Sequence, residues 1–268
     1  MQRREFLAAS AAAALGLATL NPAPAAERGE NRQLIELRTY HFASPEKQQA
    51  FEQFLARAAV PALNRAGVQT VGVFKLLAPD NPDLKLSADG TDLYVLLPHN
   101  GLDSLLGLDD RLAADEAFQE SGRAVLRAPK SDPAYTRYES SLLLSFDNWP
   151  RVEAPTRAES RVLQMRTYES HSRERNRKKV EMFNAGGEIA IFRRCGMSPV
   201  FFGEALAGPN LPHLTYMLAF EDERAMKKGW DAFRDDPDWK NLSKDEAYKD
   251  TVSKITNLVL RPAAGSQV

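Results

Sequence analysis

An arginine and a tyrosine separated by one residue occur twice in the chain, in the same tripeptide. The first copy is Arg38-Thr39-Tyr40 and the second is Arg166-Thr167-Tyr168. Alternate side chains of an extended strand point to the same face, so each arginine shares a face with its tyrosine. A guanidinium beside a phenol hydroxyl can bind a carboxylate or stabilise an enolate-like oxygen. The four side chains are therefore candidate ligand-binding residues, with the alternative that Arg38 only satisfies Glu36 or a carboxylate of a facing sheet.

Further polar residues lie at predicted strand ends and helix turns. His171 closely follows the second tripeptide and is the candidate catalytic acid–base residue, because an imidazole titrates near neutral pH. Asn184 and Glu188 lie one helical turn apart beside a pair of glycines that weakens the helix, so they are candidate ligand contacts. Tyr94 and Tyr216 are interpreted as matched third-strand aromatics; Tyr216 is a candidate ligand contact, with core packing as the alternative.

Composition excludes several classes of protein. The chain has 268 residues, of which 43% are hydrophobic, and a formal net charge of −1, so no global field attracts nucleic acid or an anionic membrane. The single cysteine, Cys195, cannot form an internal disulfide, and no two histidines are close in sequence, so no metal site is predicted. No glycine-rich phosphate loop or nucleophile elbow is present.

Residues 1–25 have the pattern of an export signal. Arg3 and Arg4 precede an alanine-rich apolar run, and Ala23-Pro24-Ala25 suits a signal peptidase. Paired arginines before a weakly hydrophobic run indicate a bacterial twin-arginine signal, with an ordinary secretory signal as the alternative. The run is shorter than the ~20 residues needed to cross a bilayer, so we expect a periplasmic or extracytoplasmic protein without an integral membrane span.

Each tripeptide opens the same order of elements, βαββαβ, in two regions of the chain. The first repeat is predicted at 33–147 and the second at 161–262, joined by a proline-containing linker at 148–160. The predicted strands are 33–42, 68–77, 93–97 and 140–146, and then 161–169, 199–207, 214–220 and 254–260. Helical periodicity fills the intervals, with single helices expected over 101–127 and 221–240.

The strand sequences predict how the two repeats pack. A βαββαβ unit forms an antiparallel four-stranded sheet with helices on one face only. The strands carry apolar residues at both parities, as at Val71, Val73 and Leu76, which indicates burial of both faces. We therefore expect an α+β fold in which two tandem ferredoxin-like repeats pack sheet to sheet as a pseudo-dimer, with helices outside. If the apolar parity of each first strand faces the helices, the arginines and tyrosines point into the barrel.

This organisation resembles the NIPSNAP family of the dimeric α+β barrel superfamily. Besides the two tripeptides, the resemblance rests on Lys179-Val180-Glu181-Met182-Phe183-Asn184, Phe201-Phe202-Gly203-Glu204, Leu214-Thr215-Tyr216-Met217-Leu218 and Asp236-Pro237-Asp238-Trp239-Lys240. It is weaker in the first repeat, where Asp115-Glu116-Ala117-Phe118-Gln119 replaces the last of these patterns. The resemblance implies the barrel fold but no reaction. The wider superfamily includes cofactor-free monooxygenases, lactone isomerases and haem enzymes, so no cofactor is predicted and haem enters by analogy alone.

Two functions remain open at this point. In the first, an exported barrel binds or transforms a small, largely apolar, oxygen-bearing ligand in its interior, and whether it is an enzyme stays undecided. In the second, a non-catalytic interaction or structural protein has a barrel filled by side chains. A cavity above roughly 300 Å³ lined by the two arginine–tyrosine pairs would favour the first. The sequence predicts no nucleic-acid partner and leaves the oligomeric state open, with a homo-oligomer among the options.

Overall fold

The computed structural model describes residues 32–86 and 89–268, and the predicted export signal lies outside them. Within these residues, eight strands and the helices between them follow the predicted βαββαβ order, once in each half of the chain. The N-terminal half contains β1 (Leu34–His41), β2 (Gly72–Leu76), β3 (Asp92–His99) and β4 (Arg137–Ser145). The C-terminal half contains β5 (Val162–Glu169), β6 (Ser198–Ala207), β7 (His213–Phe220) and β8 (Lys254–Pro262).

The helices follow the local signals of the sequence. In the N-terminal half they are α1 (Pro45–Phe54), α2 (Val60–Arg65), α3 (Leu102–Leu106), α4 (Leu108–Ala113), α5 (Glu116–Ser121) and α6 (Arg123–Leu126). In the C-terminal half they are α7 (Arg173–Asn184), α8 (Glu188–Arg194), α9 (Glu223–Asp235) and α10 (Pro237–Leu242). Ser44 and Ser172 cap α1 and α7 by accepting backbone hydrogen bonds from the third residues that follow them.

The helices are interrupted near a proline, at glycines and at aspartates that cap the next helix. A π-helical turn, Leu55–Ala59, connects α1 to α2 immediately before Pro61, which has no backbone N–H. The single helix expected over 101–127 is four short helices, because Gly107 and Gly122 interrupt it and Asp115 caps the start of α5. The helix expected over 221–240 is divided at Asp236, which caps α10. Of the described residues, no helix has both the length and the apolar character required to cross a bilayer.

The two four-stranded sheets are hydrogen-bonded into one closed antiparallel barrel. Its strand order is β1-β3-β2-β8-β5-β7-β6-β4. The two halves meet at the β2–β8 and β4–β6 pairs, so neither sheet keeps an unpaired edge. The α+β barrel fold is therefore confirmed. The two sheets face each other, and they are also hydrogen-bonded to each other along both of their edges.

The barrel interior is apolar, and the helices cover the outer face of each sheet. The interior is filled mainly by large aliphatic and aromatic side chains: Ile35, Phe74, Leu76, Leu96, Leu143, Leu163, Val200, Phe201, Met217 and Leu260. Tyr40 and Tyr168 instead belong to the two clusters between sheet and helices. The expectation that the arginine–tyrosine pairs point into the barrel is wrong. An eight-stranded interior is just wide enough for side chains to fill it, and a guanidinium there would lose its hydration without compensation.

Candidate functional site: a cavity between sheet and helices

A cavity of about 370 Å³ lies between the outer face of the N-terminal sheet and its helices. Its walls are mainly aromatic and aliphatic, and its few polar side chains include Arg38 and Tyr40. The described lining residues are Arg38, Tyr40, Phe51, Phe54, Leu55, Ala59, Leu63, Val95, Leu97, Asp109, Leu112, Ala113, Phe118, Gln119, Val125, Leu126, Tyr135 and Tyr138. The space exceeds the threshold expected for a ligand site, but only one of the two predicted arginine–tyrosine pairs lines it.

Arg38 is held at the cavity by a carboxylate on its own strand. Its Nε donates to Glu36 Oε1 at 2.7 Å and its Nη2 donates to Glu36 Oε2 at 2.9 Å. Ser140 on β4 also donates to Glu36 Oε1, at 2.7 Å. Burial alone would raise the pKa of Glu36, but His99, Arg38 and Ser140 outweigh it and lower the pKa to about 2. Glu36 is therefore ionised at neutral pH, and the proposed pairing of Arg38 with Glu36 is confirmed.

Two tyrosines contact this guanidinium, and a third packs on both of them. Arg38 Nη1 lies 3.5 Å from the Tyr40 hydroxyl, and the guanidinium carbon lies 5.5 Å from the centre of the Tyr138 ring. The Tyr40 ring packs 5.1 Å from Tyr138 and 5.3 Å from Tyr135. Burial raises the pKa of Tyr40, so its hydroxyl is a protonated donor. This corner of the cavity therefore presents N–H and O–H donors to an otherwise apolar space.

Sequence reasoning did not include Tyr135 and Tyr138 among the site residues. Tyr138 lies directly opposite Tyr40 in the β1–β4 pair, and this register fixes the stacked rings. The only signal in the sequence is the pair of tyrosines three residues apart, just before the predicted fourth strand. Cross-strand register is a tertiary property, so the sequence could not join this pair to Tyr40.

The equivalent space in the C-terminal half is filled by aromatic rings. Arg38 lies opposite Val95, whereas Arg166 lies opposite Tyr216. On the next strand, Val73 faces Val95, whereas Phe202 faces Tyr216. The positions that carry two valines in the N-terminal half thus carry two large rings in the C-terminal half. Tyr216 and Phe202 stack at 5.5 Å, and both pack against further rings of the same cluster.

The second arginine–tyrosine pair belongs to this packed layer. The Arg166 guanidinium lies 4.8 Å from the Trp230 ring centre and 5.3 Å from that of Tyr168, whose hydroxyl contacts the Tyr216 hydroxyl at 3.0 Å. Gln164 occupies the position of Glu36 and accepts a 2.6 Å hydrogen bond from Trp230 Nε1. The structure therefore brings Arg166, Tyr168 and Tyr216 together, but around side chains rather than around a cavity.

The remaining predicted site residues lie away from the cavity. Glu188 is buried and forms a 2.8 Å ion pair with Lys179, which joins α8 to α7. Asn184 accepts a 3.0 Å hydrogen bond from the backbone N–H of Asn148 and so fixes the segment after β4 to the end of α7. His171 is exposed and lines neither this cavity nor the one in the barrel.

A smaller cavity of about 150 Å³ occupies one end of the barrel interior. Thr39, Thr167 and Thr215 line it, and the last two hydroxyls are 2.8 Å apart. Tyr94 also lines it, and burial raises the pKa of Tyr94 to about 12. Tyr94 is thus inside the barrel while Tyr216 is outside, so their interpretation as matched aromatics is wrong. The strand register places Val95, not Tyr94, at the position of Tyr216.

The larger cavity lacks the donor set that haem requires. None of the described residues that line it is a histidine, cysteine or methionine, which are common axial ligands of haem iron. A tyrosine ligand would be an ionised phenol, and burial disfavours that form of Tyr40. The side chains present therefore do not fit haem. In the described part of the chain, no three His, Cys, Asp or Glu side chains are grouped so as to hold a metal ion.

Comparisons with known proteins agree with the fold, and a family model matches the C-terminal half. Residues 163–267 match the NIPSNAP family model. The NIPSNAP match therefore covers β5–β8 and leaves out the half that contains the larger cavity. This distribution agrees with the stronger resemblance seen in the second half of the sequence. No curated protein matches the chain.

Solved structures of similar fold extend over both halves. A candidate monooxygenase from Fusobacterium nucleatum aligns at a TM-score of 0.57 and 11% identity, covering 87% of this chain and 93% of that one. A candidate monooxygenase from Lactobacillus acidophilus aligns at 0.52 and 10%, covering 88% and 98%. A haem-binding protein from Thermus thermophilus aligns at 0.43 and 15%, covering 86% and 91%, which is too distant to support an argument about haem. These likenesses show the barrel fold alone.

Proposed function

We propose that this protein binds a small, largely apolar, oxygen-bearing molecule in the cavity of its N-terminal half. The observation that supports this is the cavity itself, about 370 Å³ with apolar walls and donors at one corner. Ligand pockets are typically ~300–1,000 Å³, mainly apolar, with a few placed polar groups. The site lies between sheet and helices, which replaces the barrel interior expected from the sequence.

The wall chemistry favours a flat or aromatic ligand. Phe51 packs directly on the Tyr40 ring at 4.8 Å, and Phe54 packs on Phe51 at 5.3 Å, so the cavity wall is a continuous aromatic surface. Ring pairs are stabilised beyond their area of contact, so a ligand ring would gain from contact with this wall. A ligand oxygen at the polar corner would accept from Arg38 Nη1 or from the Tyr40 hydroxyl. The same donors would stabilise negative charge developing on that oxygen, so transformation of the ligand belongs to the proposal.

We also propose that the protein is exported, and this part of the proposal rests only on the sequence pattern of residues 1–25. Paired lysines in place of Arg3 and Arg4 should abolish twin-arginine export and leave the protein in the cytoplasm, as measured by cell fractionation. Unchanged export of this variant would argue for an ordinary secretory signal.

Filling the cavity should weaken binding without unfolding the protein. Val95→Tyr places in the cavity the residue that the C-terminal half has at this position, Tyr216. We expect 1-naphthol to bind the wild-type protein with 1:1 stoichiometry in isothermal titration calorimetry, and Val95→Tyr to weaken that binding at least about tenfold. Ile255→Tyr, on an exposed position of β8, is the matched control and should bind as the wild type does.

Two results of this titration would contradict the proposal. One is the absence of saturable naphthol binding to the wild-type protein. The other is equal binding by Val95→Tyr and the wild type, with circular dichroism showing both folded. Either result would favour the alternative function, a non-catalytic interaction protein, which the side-chain packing of most of the barrel interior supports.

A further inference from the structure

We propose that the cavity selects neutral oxygen-bearing ligands, such as aromatic ketones and phenols, over carboxylates, and that Glu36 is the residue that determines this selectivity. The inference rests on the proposed function and specifies its ligand class. An arginine in an apolar pocket is ordinarily a carboxylate-binding residue. Here the carboxylate is already supplied by the protein.

The ion pair occupies one edge of the Arg38 guanidinium. Glu36 accepts one N–H of Nε and one N–H of Nη2, at 2.7 and 2.9 Å. The remaining N–H groups are on Nη1 and on the other side of Nη2, and Nη1 lies 3.5 Å from the Tyr40 hydroxyl. These groups can donate to a ligand oxygen, but the positive charge behind them is already neutralised by Glu36.

The charges around this corner oppose a negative ligand. Glu36 is only 7% exposed and neutralises Arg38 inside the protein. Among the described lining residues, Asp109 is the one other charged side chain, and it is acidic. His99 Nε2 lies 3.7 Å from Glu36, and its Nδ1 contacts Ser104 at 3.2 Å; His99 is not among the residues that line the cavity. A carboxylate entering the cavity would lose its hydration without meeting a net positive charge.

A neutral oxygen does not incur this penalty. A ketone or phenol has a smaller hydration free energy than a carboxylate, and one hydrogen bond from Nη1 or the Tyr40 hydroxyl compensates its burial. The C-terminal half provides an internal contrast, because Gln164 stands at the position of Glu36 there and forms no ion pair with Arg166. The C-terminal half therefore shows that the fold accepts glutamine at this position. Glu36→Gln introduces the same side chain into the N-terminal half, which contains the cavity.

The experiment compares two ligands with one ring system at neutral pH. Calorimetric titrations of the protein use 1-acetonaphthone, a neutral ketone, and 1-naphthoate, the carboxylate with the same ring system. We expect the wild-type protein to bind the ketone at least about tenfold more tightly than the carboxylate, which corresponds to about 1.4 kcal/mol. In Glu36→Gln the guanidinium loses its counter-charge, and we expect the ratio to shift toward 1-naphthoate by at least about tenfold.

Each outcome tests one of the two proposals. If neither naphthalene derivative binds, the proposed function fails. If 1-naphthoate binds the wild type as tightly as the ketone, or if Glu36→Gln leaves the ratio unchanged, the selectivity inference fails and the proposed function stands. Should Glu36→Gln not fold, Asp109→Asn at the exposed rim tests the same electrostatics. It should shift the ratio of the two affinities toward 1-naphthoate about twofold, and an unchanged ratio would overturn the inference.

Discussion

At the scale of single residues, the two halves differ by one carboxylate beside one arginine. Glu36 pairs with Arg38 in the N-terminal half, whereas Gln164 beside Arg166 hydrogen-bonds to Trp230. Arg166 then stacks on two rings and forms no ion pair with the residue two positions before it. The same tripeptide therefore has different surroundings in the two halves. In the N-terminal half its arginine and tyrosine are hydrogen-bond donors at the cavity, and in the C-terminal half they are packed among aromatic rings, because the neighbouring side chains differ.

The ion pair at Glu36 should make stability depend on acidity. The pKa of Glu36 is lowered from 4.5 to about 2 in the folded protein, so the pair stabilises the fold above pH ~4.5 and loses this contribution as the pH falls toward 2. We expect the wild-type free energy of unfolding to fall by on the order of 2 kcal/mol more than that of Glu36→Gln between pH 6 and pH 3. Urea titrations at both pH values measure this difference. Parallel losses in the two proteins would show that Glu36 does not contribute in this way.

At the scale of elements, the central strands decide which half can hold a ligand. β3 and β2 present Val95 and Val73 to the helices, whereas β7 and β6 present Tyr216 and Phe202. The C-terminal helices add the rings of Phe183 and Phe192, both fully buried. Close packing in protein interiors means that side-chain volume at these positions determines whether space remains.

Truncation of the central ring should therefore have a large effect on stability. Tyr216→Val removes a fully buried ring and its hydroxyl contact with Tyr168, and we expect a loss of about 3–5 kcal/mol in the free energy of unfolding. The matched change in the other half, Val95→Ala, borders an existing cavity and should cost about 1 kcal/mol. Guanidinium denaturation of both variants measures the contrast. Similar losses would show that the two halves are packed alike.

At the scale of the whole molecule, the barrel makes the two halves dependent on each other. The interior cluster contains residues of both halves, and the β2–β8 and β4–β6 pairs close the sheet. Apolar burial stabilises a fold by ~25 cal/mol per Å², so exposure of an entire inner sheet face would be costly. Neither half is expected to be a stable monomer.

Separate expression of the halves tests this dependence. Residues 32–150 alone should aggregate or self-associate, because Ile35, Leu96 and Leu143 would be exposed on one sheet face. Co-expression with residues 151–268 should restore a soluble complex of the two fragments, as measured by size-exclusion chromatography with light scattering. A monomeric, cooperatively folded 32–150 fragment would show that barrel closure is dispensable.

The sequence by itself determined the elements and the class of fold. Alternation and helical periodicity placed all eight strands, the cap at Ser44 marked the start of α1, and apolar residues at both strand parities required a sheet covered on both faces. These signals are local, since they depend on neighbours along the chain. The pairing of Arg38 with Glu36 is equally local, and it was the alternative that the sequence left open beside a ligand-binding role.

Only the tertiary structure decided where the site lies. Both faces of β1 carry residues that can be buried, so the sequence could not tell the barrel side from the helix side, and the choice of the interior was wrong. The cavity depends on strand register, which sets Val95 opposite Arg38 and Tyr216 opposite Arg166. Register arises from contacts between distant segments, and a shift of one residue exchanges the faces. The cavity beside Arg38 and the aromatic rings that fill the equivalent space beside Arg166 are therefore properties of the assembled barrel and its helices.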